Sequence, residues 1–169
     1  MAHDEVFSTK SPPVPFVYNF GQLTTGKLVK IDGVSHANPS RFTIYIQQGG
    51  DREPHEIGMC FDARFKFNAD KHVIVRNHKQ GGWGTEERDI PFFPFHEGKP
   101  FSITILFQQN CFKVTVNNTD FLEFSHRFRP MEYQNTVRID GDVQLSQVVI
   151  LQRISYGQQE TSTVYGECV

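Results

Sequence analysis

Residues 101–118 read FSITILFQQNCFKVTVNN, and their pattern decides the fold class. Phe101, Ile103, Ile105 and Phe107 alternate with Ser102, Thr104, Leu106 and Gln108. A few residues on, Phe112, Val114 and Val116 alternate with Cys111, Lys113 and Thr115. Successive side chains of a strand point to opposite faces, so a period of two gathers the apolar set on one side. Val, Ile, Phe and Thr also suit a pleated, half-buried surface. The spacing predicts two half-buried strands.

The same period recurs outward from this stretch. In RFTIYIQQ (41–48), Phe42, Ile44 and Ile46 face one way and Arg41, Thr43, Tyr45 and Gln47 the other. Further strands are expected at Val14–Tyr18, Lys27–Asp32, Glu56–Phe67, His72–Asn77, Glu86–Pro91, Leu122–Ser125, Thr136–Asp140 and Val143–Leu151. Turn signals separate them: TTG, QQGGD, NAD, KQGG, HEGKP, VNNTD and DGD,. No window of ten or more residues carries a helical period. Many short strands with regular turns predict an all-β sandwich or barrel. Residues 1–12 are polar and abut Pro12-Pro13, and 154–169 are rich in Gly, Gln and Thr; both are expected to be flexible,. Residues 13–153 form one binding module with no internal repeat.

Composition narrows the function. At 169 residues the chain suits a single domain that folds without a metal or disulfide,. Apolar residues make up only 38%, but 16 are Phe, whose large area compensates,. Net charge is −2 with no basic run, which disfavours nucleic acid as a partner,. The N-terminus does not read as a secretory signal, and no apolar run is long enough to span or insert into a membrane. Cys60, Cys111 and Cys168 are odd in number and widely spaced, which reads as thiols in a reducing compartment rather than a disulfide framework,. The seven His residues show no metal-ligand spacing, so no metal or other cofactor is expected,.

The polar side of three segments carries the candidate site. In CFDARF (60–65), Cys60, Asp62 and Arg64 share one face, while Phe61, Ala63 and Phe65 point into the core,. Val73, Val75 and Asn77 share a face of the next strand, and Glu86 and Arg88 share a face of WGTEERDI (83–90). If the turns are hairpins, Arg64, Asn77, Glu86 and Arg88 converge on one polar surface with Trp83 at its rim. Such a set suits a sugar. Arg, Asn and Glu hold several directional hydrogen-bonding groups for fixed hydroxyls, and an aromatic ring packs on the C–H face of a galactose.

WGTEERDIPFFPF (83–95) resembles the galectin signature Trp-Gly-x-Glu-x-Arg followed by a Pro-Phe segment. VPFVYNFGQLTTGKLVKIDG, SRFTIYIQQG, VIVRN and FSITILFQQNCFKVTVNN are similar to other strands of that family, in the same order, from Val14 to Gln152. The resemblance implies an antiparallel β-sandwich of two sheets and a non-catalytic lectin for β-galactoside glycans on glycoproteins or glycolipids. Arg64 then contacts the galactose 4-hydroxyl and the next sugar, Asn77 the 6-hydroxyl and Trp83 the ring face, while Glu86 accepts from hydroxyls and pairs with arginine and Arg88 reaches the neighbouring sugar. It also implies synthesis in the cytoplasm with export that bypasses a signal peptide.

HEIGMCFDARF (55–65) departs from the family's His-x-Asn-Pro-Arg strand: Cys60 stands at the His, Asp62 at the Asn and Ala63 at the Pro. A thiol is a poor hydrogen-bonding group, and losing one good hydrogen bond costs about 0.5–1.5 kcal/mol. Asp62 keeps an acceptor but sits beside Arg64 and competes with ligand for it. Weakened or altered galactose selectivity is expected, with Arg41 on the neighbouring strand reaching toward the site to compensate.

Each residue has a plainer reading. Taken alone, Trp83 reads as loop packing, Glu86 and Arg88 as a solvated pair of little energetic consequence, and Asn77 as a turn residue. Cys60 reads equally as an accessible or a packed thiol. The Asn-Asn-Thr run at Asn117 reads as a hairpin turn. A degenerate module that binds protein or a second copy of itself is the alternative to a lectin, and a homodimer stays open. A glycosidase using Asp62 and Glu86 is disfavoured, because arginines on an open face lower carboxyl pKa values where a general acid needs them raised.

Overall fold

A computed structural model describes residues 2–154. Among these, twelve strands and no helix are found: β1 His3–Lys10, β2 Phe16–Asn19, β3 Lys27–Ser35, β4 Arg41–Gln47, β5 Glu56–Phe67, β6 Asp70–Gln80, β7 Gly82–Trp83, β8 Pro100–Phe107, β9 Cys111–Val116, β10 Thr119–Ser125, β11 Thr136–Gly141 and β12 Val143–Arg153. They form two antiparallel sheets of six strands. The back sheet runs β1-β12-β3-β8-β9-β10 and the front sheet β2-β11-β4-β5-β6-β7. The expected β-sandwich is the observed fold.

The alternating apolar residues meet between the sheets. Ile44, Phe61, Ile74, Val137 and Ile139 of the front sheet are buried, as are Ile103, Val114, Val148 and Ile150 of the back sheet. Phe42 stacks on Phe101 with ring centroids 5.0 Å apart, tying β4 to β8. Phe95 meets both rings edge-on, at 5.1 and 5.3 Å. Each buried Phe contributes about 1.5–3 kcal/mol by leaving water, so the Phe-rich composition supplies the core that apolar content alone understates. Asn117 and Asn118 take φ of 51° and 65° between β9 and β10, the left-handed pair that a two-residue hairpin needs and Asn tolerates. The Asn-Asn-Thr run is therefore a turn.

Four expectations are corrected. Residues 3–10, not read as a strand from sequence, form one: β1 pairs with β12 from His3↔Arg153 to Lys10↔Gln147. β12 would otherwise offer an unpaired row of backbone groups at the sheet edge, and Phe7 anchors β1 by stacking on Tyr18 at 3.8 Å. Residues 86–91 are not a strand. A single bridge, Arg76↔Glu87, holds them to β6. Trp83 lies in the two-residue strand β7 rather than in a loop, paired with Lys79. Cys111 is disulfide-bonded, so the reading of three separate thiols does not hold. The expected flexible C-terminal tail lies, apart from Ile154, outside the described residues.

Candidate carbohydrate-binding site

Register builds the site. In the front sheet Arg41, Thr43 and Tyr45 of β4 stand opposite Arg64, Asp62 and Cys60 of β5. Cys60, Asp62 and Arg64 in turn stand opposite Asn77, Val75 and Val73 of β6. On the other flank Arg138 of β11 stands opposite Tyr45. Paired residues share a face, so all these side chains project from the outer side of the front sheet. The Arg76↔Glu87 bridge is made by reciprocal backbone bonds of 2.9 and 2.8 Å. It turns Glu87 to the face of Arg76 and leaves Glu86 and Arg88 on the face of Asn77. The convergence of Arg64, Asn77, Glu86 and Arg88 expected from sequence is realised, although β7 and a bridge replace the expected hairpin.

An unbroken chain of alternating charge crosses this face. Asp62, only 4% exposed, accepts from Thr43 Oγ1 at 2.9 Å, Arg41 Nη1 at 3.3 Å and Arg64 Nε at 2.9 Å. Arg64 Nη1 donates to Asp70 Oδ2 at 2.5 Å, and Arg88 Nη1 to Asp70 Oδ1 at 2.9 Å. Arg88 closes the row by donating from Nε and Nη2 to Glu86 Oε1, at 3.1 and 2.9 Å. Phe67 adds an aromatic floor, 4.0 Å from the Arg41 guanidinium and 5.0 Å from that of Arg64. Hydrogen bonds from Arg88 and Arg64 hold the Asp70 carboxyl below its ordinary pKa. Asp62 thus pairs with Arg64 as expected. Arg41 reaches the site, where it serves Asp62.

Asp70, which sequence reading missed, is the junction of that chain. Its signal was available: it follows the left-handed Asn68 (φ 53°), so the NAD turn returns it beside Arg64. Among the described residues each of these arginines keeps N–H groups without a partner, since a guanidinium has five,.

Two expected contacts are held within the protein. Asn77 Nδ2 donates to Gly84 O at 2.9 Å, while its Oδ1 accepts from His78 N at 2.8 Å and Arg127 Nη1 at 2.9 Å. The side chain is 6% exposed, so it pins the turn after Trp83. Arg127 is held in turn by Glu87 at 2.7 Å. No local sequence pattern announces it, because it arrives from the segment after β10. Cys60 is 8% exposed and is the packed form of the two thiol readings. Burial, then the negative Asp62, push its pKa well above the ordinary thiol range, so it stays protonated and unreactive.

Trp83 is 55% exposed, with Lys79 Nζ 5.8 Å from its ring centre. It rims a groove of about 880 Å³ whose lining includes Ile57, Lys79, Tyr45, Arg52, Arg41 and Arg138. That volume falls in the range that holds small ligands. The groove overlaps the predicted set only at Trp83 and Arg41. Arg64, Glu86 and Arg88 lie outside its lining and form the adjoining ion row. Among the described residues, no group of three or more His, Cys, Asp or Glu side chains is placed to hold a metal ion, and no helix is long and apolar enough to cross a membrane.

A β-sandwich with one grooved, polar outer face and an exposed Trp at its rim defines a binding module. The chain belongs to the galectins: the galactoside-binding lectin family model matches residues 15–150. It is 35% identical over 144 residues to galectin-3 of Oryctolagus cuniculus, a match covering 83% of this chain and 57% of that protein. It is 37% identical over 127 residues to galectin-3 of Mus musculus, covering 75% and 46%. The chain thus spans about half the length of the curated relatives it matches. Among solved structures it superposes on sheep galectin-11 in complex with glycerol with a TM-score of 0.69 and 25% identity, covering 83% of this chain and 99% of that one. Caenorhabditis elegans galectin LEC-6 gives a TM-score of 0.73 at 24% identity over 85% and 94%, a likeness of fold. The family is one of lectins, and this chain is not an enzyme.

Proposed function

We propose that this chain is a β-galactoside-binding lectin whose selectivity departs from the family pattern at β5. One observation carries the reading: an exposed Trp83 stands on the same outer face as the Arg64–Asp70–Arg88–Glu86 row. The indole packs on the apolar C–H face of galactose. Arg64 and Arg88 keep N–H donors aimed at hydroxyls, and the ion row holds both guanidinium planes before ligand arrives, so little side-chain freedom is lost on binding. Charge-assisted hydrogen bonds of this kind are about twice as strong as neutral ones. Against this, the buried Cys60 offers no competent donor, and the Asn77 amide oxygen already accepts two bonds. Galactose alone therefore binds more weakly than a site with a free imidazole and a free amide would allow.

The same two residues favour a second reading, a module that docks protein instead of sugar. A glycan-array screen of the wild type beside Trp83→Ala separates the two. The lectin reading expects binding to galactose-terminated glycans that is lost in the variant. Absence of binding to any glycan by the wild type sinks it and turns the search to protein partners.

A further inference from the structure

We infer that Tyr45 is a specificity-determining residue of the groove, presenting its phenol to a ligand hydroxyl at the place where Cys60 cannot. The inference rests on the lectin reading above and adds to it the contact that replaces the missing polar group.

Geometry places Tyr45 there. Its Cα stands directly opposite that of Cys60, and side chains so paired on one face lie about 4.5–5.5 Å apart at Cβ. Cys60 is buried while Tyr45 is half-buried and lines the groove. The phenol therefore occupies the surface above the thiol. The ring is clamped: the Arg138 guanidinium sits 3.8 Å from its centre. Arg138 is itself fixed, donating from Nε to Gln47 Oε1 at 3.2 Å and from Nη2 to Arg52 O at 3.0 Å. Two residues before it on the same strand face, Thr43 donates to Asp62, which binds Arg64. A ring so clamped is oriented before ligand enters.

Chemistry selects it as well. The other polar groups on the adjoining floor are committed, Asp62 to three donors and Asn77 to three partners. A phenol carries one donor and two acceptor positions, which gives it capacity for a sugar hydroxyl. Burial, then the neighbouring Cys60, push its pKa up, which keeps the O–H in place at neutral pH. A site that hydrogen-bonds a ligand hydroxyl rejects the analogue that lacks it, which is how one phenol sets selectivity.

Titration calorimetry with lactose tests this on wild type, Tyr45→Phe, Cys60→Ala and Trp83→Ala. Tyr45→Phe removes one oxygen and keeps the clamped ring, so its melting temperature should stay near wild type. The expected result is loss of binding in Trp83→Ala, weakening of about 3- to 10-fold in Tyr45→Phe, and less than about 2-fold change in Cys60→Ala. A set of monodeoxy lactoses adds a readout that a structural role would not move. For the hydroxyl that Tyr45 holds, deleting it from the ligand and deleting the phenol oxygen should not add. If Tyr45→Phe binds within about 2-fold of wild type while Trp83→Ala does not bind, Tyr45 has no such role and the lectin reading stands. If the wild type binds no lactose, the lectin reading fails for this ligand and the inference about Tyr45 goes with it.

Discussion

The two sheets are written in the same alternating pattern, yet their outer faces are built differently. On the back sheet the outward residues of β3, β8 and β9, such as Lys30, Asp32, Thr104 and Thr115, are half-buried and make at most simple cross-strand pairs. On the front sheet the outward Thr43, Asp62, Asn77 and Arg138 are buried, and each is hydrogen-bonded to its neighbours. Burying polar groups costs free energy unless every group finds a partner. A sheet that only needed solubility would follow the back sheet. The front sheet instead holds a network that fixes arginine planes and ring positions, which a binding surface needs and a solvated surface does not.

The largest effect should come from cutting that network at its centre. Asp62→Ala leaves Arg41 and Arg64 facing each other across β4 and β5 without their shared carboxylate. Losing one partner of a fully buried pair costs about 3–5 kcal/mol. Here solvent reaches Arg41, whose side chain is 39% exposed, and Asp70 retains Arg64. We therefore expect a loss of about 2–3 kcal/mol in urea unfolding. A loss below about 0.5 kcal/mol would mean that the front face is no more structural than the back one.

A smaller effect, confined to the Trp83 turn, is expected from Gly84→Ala. A Cβ there would overlap the His78 ring and lie 3.1 Å from Arg127 Nη1, and Arg127 is already held by Asn77 and Glu87. Overpacking of this kind costs about 1–2 kcal/mol. The Asn77–Gly84 bond that sets the Trp83 turn is disturbed with it, so lactose affinity should fall alongside the melting temperature. Wild-type affinity in a destabilised variant would uncouple the turn from the groove. The back sheet supplies the control: Thr104→Ala removes one half-exposed hydroxyl from its pair with Thr115 and should cost no more than about 1 kcal/mol by the same unfolding measurement, with lactose affinity unchanged.

The contrast between the sheets also marks what could be read without a structure. Period-two alternation exposed the strands that carry core residues, because each places a large apolar side chain at every second position. β1 was missed because only Phe7 of HDEVFSTK packs firmly across the sandwich; its stability comes from backbone pairing with β12, which leaves no mark in the side-chain pattern. In the site, residues carried by a motif, Trp83, Glu86, Arg88 and Arg64, were legible. Asp70, Tyr45 and Arg138 were not. Each looks like an ordinary outward residue until the register of β4, β5, β6 and β11 sets it beside a partner far off in sequence. Arg76 alternates onto the apolar face of β6, an anomaly for a charged side chain. It does face inward, opposite Phe61, with Nη1 donating to Ile74 O at 3.0 Å and Nε without a partner among the described residues.

The smallest expected effect is one of pH, and it belongs to the back of the molecule. His126 packs between Phe107 and Phe112, with ring centres 4.9 Å from each. Its Nε2–H donates to the carbonyl of Gln108 at 2.8 Å, while Nδ1 is buried without a partner among the described residues. Burial disfavours the cation and lowers the pKa below 6.5; the bond to Gln108 opposes this and Arg129 adds to it. A folded value below the unfolded one means that the unfolded chain takes up the proton first. The stabilising contribution is therefore complete above about pH 6.5 and is lost as pH falls through the folded value. His78, also lowered by burial and then by Arg127, acts in the same sense on the front sheet. His126→Phe keeps an aromatic ring between the two phenylalanines and removes the titration, so it should lose part of the wild-type drop in melting temperature between pH 7.5 and 5.5, with His78 supplying the remainder. Equal drops in the two proteins would assign the acid sensitivity wholly to the front sheet, through His78 and the site it buttresses.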